Sequence, residues 1–178
     1  MAEAVDWKAR IVTMVQIKQV IADLDKQGLW QYELPGVAAT EEDLRNVERL
    51  LGESLDSRYR DFLRHAGGWP AFHQTVDLFG HKDLLGSMRF AHAQSMLEAV
   101  EGSVLESAKV KREQLLPIAA SPVDLDLFVM TRRSADKPGV VIWIAGTEID
   151  RFPTFDEYFL AMLDYNRAEV QALQGTHS

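Results

Sequence analysis

Residues 39–69 read ATEEDLRNVERLLGESLDSRYRDFLRHAGGW, and this stretch sets the helical opening of the fold. It divides at Gly52 into two short amphipathic helices. Thr40 is suited to cap the first: its hydroxyl can accept from the Asp43 amide while the Asp43 carboxylate answers the Thr40 amide. Ala39 and Leu44 stand where a hydrophobic staple belongs, with alanine a weak partner. Leu44, Val47, Leu50 and Leu51 share one helical face, and Tyr59, Phe62, Leu63 and Ala66 repeat that spacing. Gly67-Gly68 then reads as a helix terminator that needs positive φ.

Upstream, residues 6–27 form a helix with Trp7, Ile11, Met14, Val15, Ile21 and Leu24 on one face and Gly28 as its stop. A connector from Trp30 to Val37 carries the turn signal Pro35-Gly36. Downstream, Phe72 to Phe79 alternates as one strand, with Phe72, Val76 and Leu78 on the same side. Between Gly80 and Gly86 the loop HKDLL has room for a single helical turn. Residues 88–113 are helical with a break at Gly102-Ser103. Leu115–Ala119 and Leu125–Met130 are adjacent strands about the Ser121-Pro122 turn. Val140–Ala145 is a continuous apolar run, which predicts a central, buried strand, and Gly146-Thr147 returns the chain into Glu148–Phe152. A last helix starts at Thr154, where Glu157 completes a second capping box. Its buried face is Phe155, Phe159, Met162, Leu163, Arg167 and Val170, with Arg167 reaching out by its stem. Gly175 to Ser178 is a tail. Helices at both ends and strands between them predict an α+β fold. The expectation is an antiparallel-rich sheet in one domain, 1–178, with the N-terminal helices and the C-terminal helix packed on one side.

The 178 residues are 47% hydrophobic, enough for a core without metal or disulfide. The absence of cysteine excludes disulfides, thiolate zinc sites, iron–sulfur clusters and cysteine nucleophiles. MAEAVDWKAR makes a poor signal peptide, and no apolar run approaches the ~20 residues of a membrane span. These features point to a soluble cytoplasmic protein. A net charge of −8 argues against nucleic acid as a partner and suits a basic protein such as a nuclease toxin. The charge is uneven. Residues 109–133 are net basic, with Lys109, Lys111, Arg112, Arg132 and Arg133 against Glu113, Asp124 and Asp126, whereas residues 134–178 are net acidic.

Chemistry-bearing patterns are sparse. His65, His73, His81 and His92 cluster in the chain with Asp77 and Asp83, but no H-x-x-x-H spacing or H-E-x-x-H motif joins them, so no metal or cofactor is expected. Asp124 and Asp126, and again Glu148 and Asp150, stand two apart, which would turn each pair to one face of a strand. Solvated strand ends explain them more simply than acid–base catalysis. There is no G-x-S-x-G elbow and no phosphate loop. Trp143, inside the apolar run, reads as core. Trp69, Phe72 and Phe79 flank a polar loop; aromatic rings beside acids suit a protein-binding patch, whereas packing in the core beneath the sheet is the better account of Phe72 and Phe79. The candidate partner-binding residues are therefore Asp77, Asp83, Asp124, Asp126, Glu148, Asp150 and Trp69.

The order of these motifs carries a resemblance. The capped acidic start, E-x-x-L-G over Glu48–Gly52, then L-x-x-x-Y-x-x-F-L and the glycine stop resemble the opening of the SUKH superfamily. Leu116-Pro117-Ile118-Ala119, Asp126-Leu127-Phe128-Val129, Val141-Ile142-Trp143 and Phe152–Phe159 are similar to its later strands and closing helix. The likeness spans residues 38–170, with 1–37 as an added helix and connector. Asp56 and Leu125 depart from it, where many relatives have proline and glycine. The resemblance implies a non-catalytic immunity protein that occludes a cognate toxin; it also admits a regulatory adaptor, as among fungal relatives. A metal-dependent enzyme is the third reading, on the histidines and aspartates.

Overall fold

The computed structural model describes residues 3–175. Helix α1 (Trp7–Leu24) starts on the Asp6 side chain, which accepts from the Ala9 amide, and ends short of Gly28. Helices α2 (Glu41–Leu51) and α3 (Ser57–Leu63) follow. The Thr40–Asp43 capping box is present in both directions, at 3.1 and 2.8 Å, and Gly52 ends α2 in the left-handed region. Asp56 caps α3 by accepting from the Arg58 and Tyr59 amides. Leu50 differs from its expected place: it is 63% exposed, so the buried stripe of α2 is Leu44 and Val47, with Leu51 at its margin.

The expected single strand over 72–79 is a hairpin, β1 (Trp69–His73) and β2 (Val76–Leu78). Gln74 takes a positive φ of 52°, and the apolar alternation runs through this turn, which hid it in the sequence. A short helix α4 (His81–Leu84) leads to α5 (Met88–Ala99) and α6 (Gly102–Ser107), separated at Val100-Glu101. Strands β3 (Leu115–Ala120), β4 (Leu127–Thr131), β5 (Val141–Ala145) and β6 (Thr147–Phe152) complete a six-stranded sheet ordered β1 to β6, every neighbour antiparallel. The most interior strands are β3 and β4; β5 is buried as its run predicts but lies one strand in from the edge.

Helix α7 (Phe155–Gly175) closes the described chain and takes in Gly175, the first residue of the expected tail, while the rest of that tail, 176–178, lies outside the described residues. The Thr154 hydroxyl accepts from the Glu157 amide at 3.3 Å. Tyr158 and Asn166 belong to the buried face of α7, whereas Arg167 is exposed and pairs with Asp164. The polar Asn166 is tolerated because its amide donates to the Phe72 and Met162 carbonyls.

The helices flank both faces of the sheet, not one. Phe128 of β4 meets Tyr158 of α7, while its neighbours across the pleat, Leu127 and Ile144, line a groove with Met96 and Val100 at α5. Adjacent strand residues point to opposite faces, so α7 and α5 lie on opposite sides. On the α7 side, Trp7 packs its ring 5.3 Å from both Phe62 and Phe159, joining α1, α3 and α7 in one aromatic cluster. A buried lysine interrupts this apolar seam. Lys18 donates to the Ala71 and Phe72 carbonyls, and burial pulls its pKa down to about 8.

Gly67-Gly68 does more than end a helix, since α3 already stops at Leu63. Three backbone segments cross here. Gly36 donates to the Gly68 carbonyl and Gly67 donates back to that of Gly36. A Cβ on Gly80 would stand 1.9 Å from the Gly67 carbonyl oxygen, so this crossing requires glycine.

Candidate protein-binding surface

The acids singled out in the sequence part into three groups. Asp77 and Asp83 are spent inside the corner that turns β2 into α5. Asp77 accepts from the Ala71 amide at 2.8 Å and stands 3.5 Å from the Arg89 guanidinium. Asp83, which is buried, accepts from the Gly80 amide at 3.0 Å and the Ser87 hydroxyl at 2.8 Å, and lies 3.3 Å from Arg89. Such a carboxylate stabilises the first turn of α4, where orphan amides need an acceptor.

Glu148 and Asp150 do not share a face. Trp143 pairs with Asp150 while the next residue, Ile144, pairs with Glu148, so Ile149 is the extra residue of a β-bulge. The bulge turns Asp150 to the α7 side with Trp143 and Glu148 to the other side. There Glu148 is held by Arg151 at 2.7 Å, and Arg151 also donates to the Ala108 carbonyl at the end of α6.

Asp124, Asp126 and Asp150 form the third group, and the fold brings them around a set of half-buried rings. Asp126 accepts from the Trp143 indole N–H at 2.8 Å. Trp143 stacks on Phe128 at 5.1 Å and meets Tyr165 edge-on at 5.5 Å, and Tyr165 lies 5.6 Å from His73. Asp150 is the cross-strand partner of Trp143. Asp124, in the β3–β4 loop, accepts from the Thr75 hydroxyl at 2.9 Å, which ties that loop to the β1–β2 turn. None of the three has an ion-pair partner among the described residues. The result is an acidic surface with two aromatic rings, free of compensating cations.

Trp69 stands elsewhere. It is fully buried, lies tilted against Phe72 with ring centroids 5.6 Å apart, and donates its indole N–H to the Glu33 carbonyl. Trp143, read as core, is half-buried with its polar edge engaged. The rings that could touch a partner are thus Trp143 and Tyr165. Tyr165 gave no signal in the sequence, because its place beside Trp143 depends on how α7 crosses the sheet.

The histidines are dispersed. His65 and His92 are exposed on α3's end and on α5, while His73 and His81 are buried in β1 and α4. Among the described residues no group of three or more His, Asp or Glu side chains is placed to hold a metal ion. Burial is the main cause that lowers the pKa of both His73 and His81, with help from Lys18 and Lys82 respectively. Asn166, Glu169 and Asp126 oppose the shift at His73, and Asp43 and Asp83 oppose it at His81.

Residues 38–161, more than half of the chain, match the SMI1 / KNR4 family (SUKH-1). The chain belongs to that family. The match begins just before the Thr40 cap and ends within α7, so it takes in the whole sheet and leaves α1 outside. Among curated proteins none matches the chain. The SMI1 / KNR4 assignment is consistent with a toxin-immunity function. No helix among the described residues is long and apolar enough to cross a membrane.

Proposed function

We propose that this SMI1 / KNR4 family protein is an immunity protein of the cytoplasm, binding a cognate toxin domain and blocking it by occlusion, without turnover chemistry. The observation that carries the reading is the acidic–aromatic surface of Asp124, Asp126, Asp150, Trp143 and Tyr165. Carboxylates without internal cations keep their field for an incoming molecule, and rings beside them supply contact area with little conformational entropy to lose. A basic toxin domain would be steered by that field. A standard interface of about 1,600 Å² in total would extend past the five named residues onto α7 and the β3–β4 loop.

The test uses the full chain and a toxin-like domain sought among the neighbouring genes. Mixed in equal amounts, the two should form a stoichiometric complex, and co-expression should protect cells from the domain. Failure to bind, together with failure to protect, would reject the immunity assignment.

A further inference from the structure

A second candidate site, one that carries guanidinium groups, lies at the other end of the sheet. A cleft of about 540 Å³ opens between the α2–α3 loop and the end of β4, within the size range of small-ligand pockets. Leu55, Leu116 and Met130 give it apolar walls, and Arg132 and Arg133 give it two guanidinium groups. Two acids also line it, but both are engaged. Asp56 accepts from two α3 amides, at 3.0 and 3.1 Å, and Glu53 holds one nitrogen of Arg132 at 3.2 Å.

The cations are only partly used. The Nε of Arg132 is buried with no hydrogen-bond partner. Arg133 is exposed and has no ion-pair partner among the described residues. A buried N–H left unpaired is costly, and a guanidinium fork matches a carboxylate or phosphate in geometry as well as charge. On a protein of net charge −8, two guanidinium groups here balance two carboxylates, and the exposed Arg133 is left without an ion-pair partner among the described residues.

We propose that the cleft binds a small organic anion, a carboxylate or phosphate on a short apolar body, with the head at Arg132 and Arg133 and the body against Leu55, Leu116 and Met130. This site is separate from the acidic surface, and its test does not require a toxin.

The experiment follows the methyl resonance of Met130 in the full chain during titration with octanoate, octyl phosphate, octanol and inorganic phosphate. Octanoate or octyl phosphate should shift it saturably, and the tighter of the two identifies the head group. Octanol, which lacks the charge, and inorganic phosphate, which lacks the body, should bind at least about tenfold more weakly. Arg133→Gln, which removes no internal contact, should weaken the charged probes about tenfold. Glu53→Gln should tighten them by freeing Arg132, an effect that a purely structural arginine would not produce. Three results would each overturn the proposal: no saturable shift at Met130 with either charged octyl probe, octanol binding as tightly as octanoate, or undiminished binding in Arg133→Gln.

Discussion

The acids of the β2–α5 corner and those of the β4–β6 face are the same residue type, yet they do opposite work. In the corner, Asp77 and Asp83 have backbone amides, a hydroxyl and the Arg89 guanidinium within reach, so their charge is consumed by the fold. On the face, Asp124, Asp126 and Asp150 accept from a hydroxyl, an indole and a single amide, with no ion-pair partner among the described residues. Burial and partners, not residue type, decide whether a carboxylate stabilises the chain or remains available to another molecule.

Substitution should therefore cost stability in the corner and little on the face. The largest expected effect is Gly80→Ala, whose Cβ would meet the Gly67 carbonyl oxygen at 1.9 Å. Separating the crossing segments should cost about 4 kcal/mol or more, read as a large fall in the urea midpoint. Asp83→Ala should follow at about 3 kcal/mol, because it leaves the buried Gly80 amide and the Ser87 hydroxyl without their acceptor. A midpoint within error of the unmodified protein would mean that the corner acids are as dispensable as those on the face.

Each region also holds one buried histidine with a lowered pKa, His81 in the corner and His73 beneath Tyr165. The unfolded chain takes up a proton near pH 6.5, before the folded one does. Stability should thus be full above about pH 6.5 and be lost as pH falls through the lower folded pKa values. His73→Gln and His81→Gln should each flatten part of that slope in urea titrations between about pH 7 and 5. A slope unchanged in both variants would place its origin in other groups. The smallest effect belongs to Asp150→Ser on the face, expected to stay within about 0.5 kcal/mol of the unmodified protein.

Local rules made the helices legible and tertiary geometry hid the site. The Thr40–Asp43 box and Gly52 are local devices, so sequence alone marks both ends of α2. The run Val141–Ala145 announces a buried strand for the same reason. Lys18 could not be read as buried, since its stabilising carbonyls come from Ala71 and Phe72, far along the chain. The pairing of Glu148 with Asp150 failed because one inserted residue, Ile149, reverses which side a carboxylate faces. Of the candidate binding residues, Asp124, Asp126 and Asp150 assemble, and the two rings that join them become visible only through strand register and the crossing of α7.

Association kinetics test the central claim most directly. The variant Asp124→Lys/Asp150→Lys removes no buried contact and no ion pair, so it should fold with nearly unchanged stability. Against the cognate toxin domain that the proposed function requires, its association rate should fall at least about tenfold at low salt, and the salt dependence of that rate should flatten, with dissociation changing less. A folded double variant that associates at the unmodified rate, with the same salt dependence, would contradict the account.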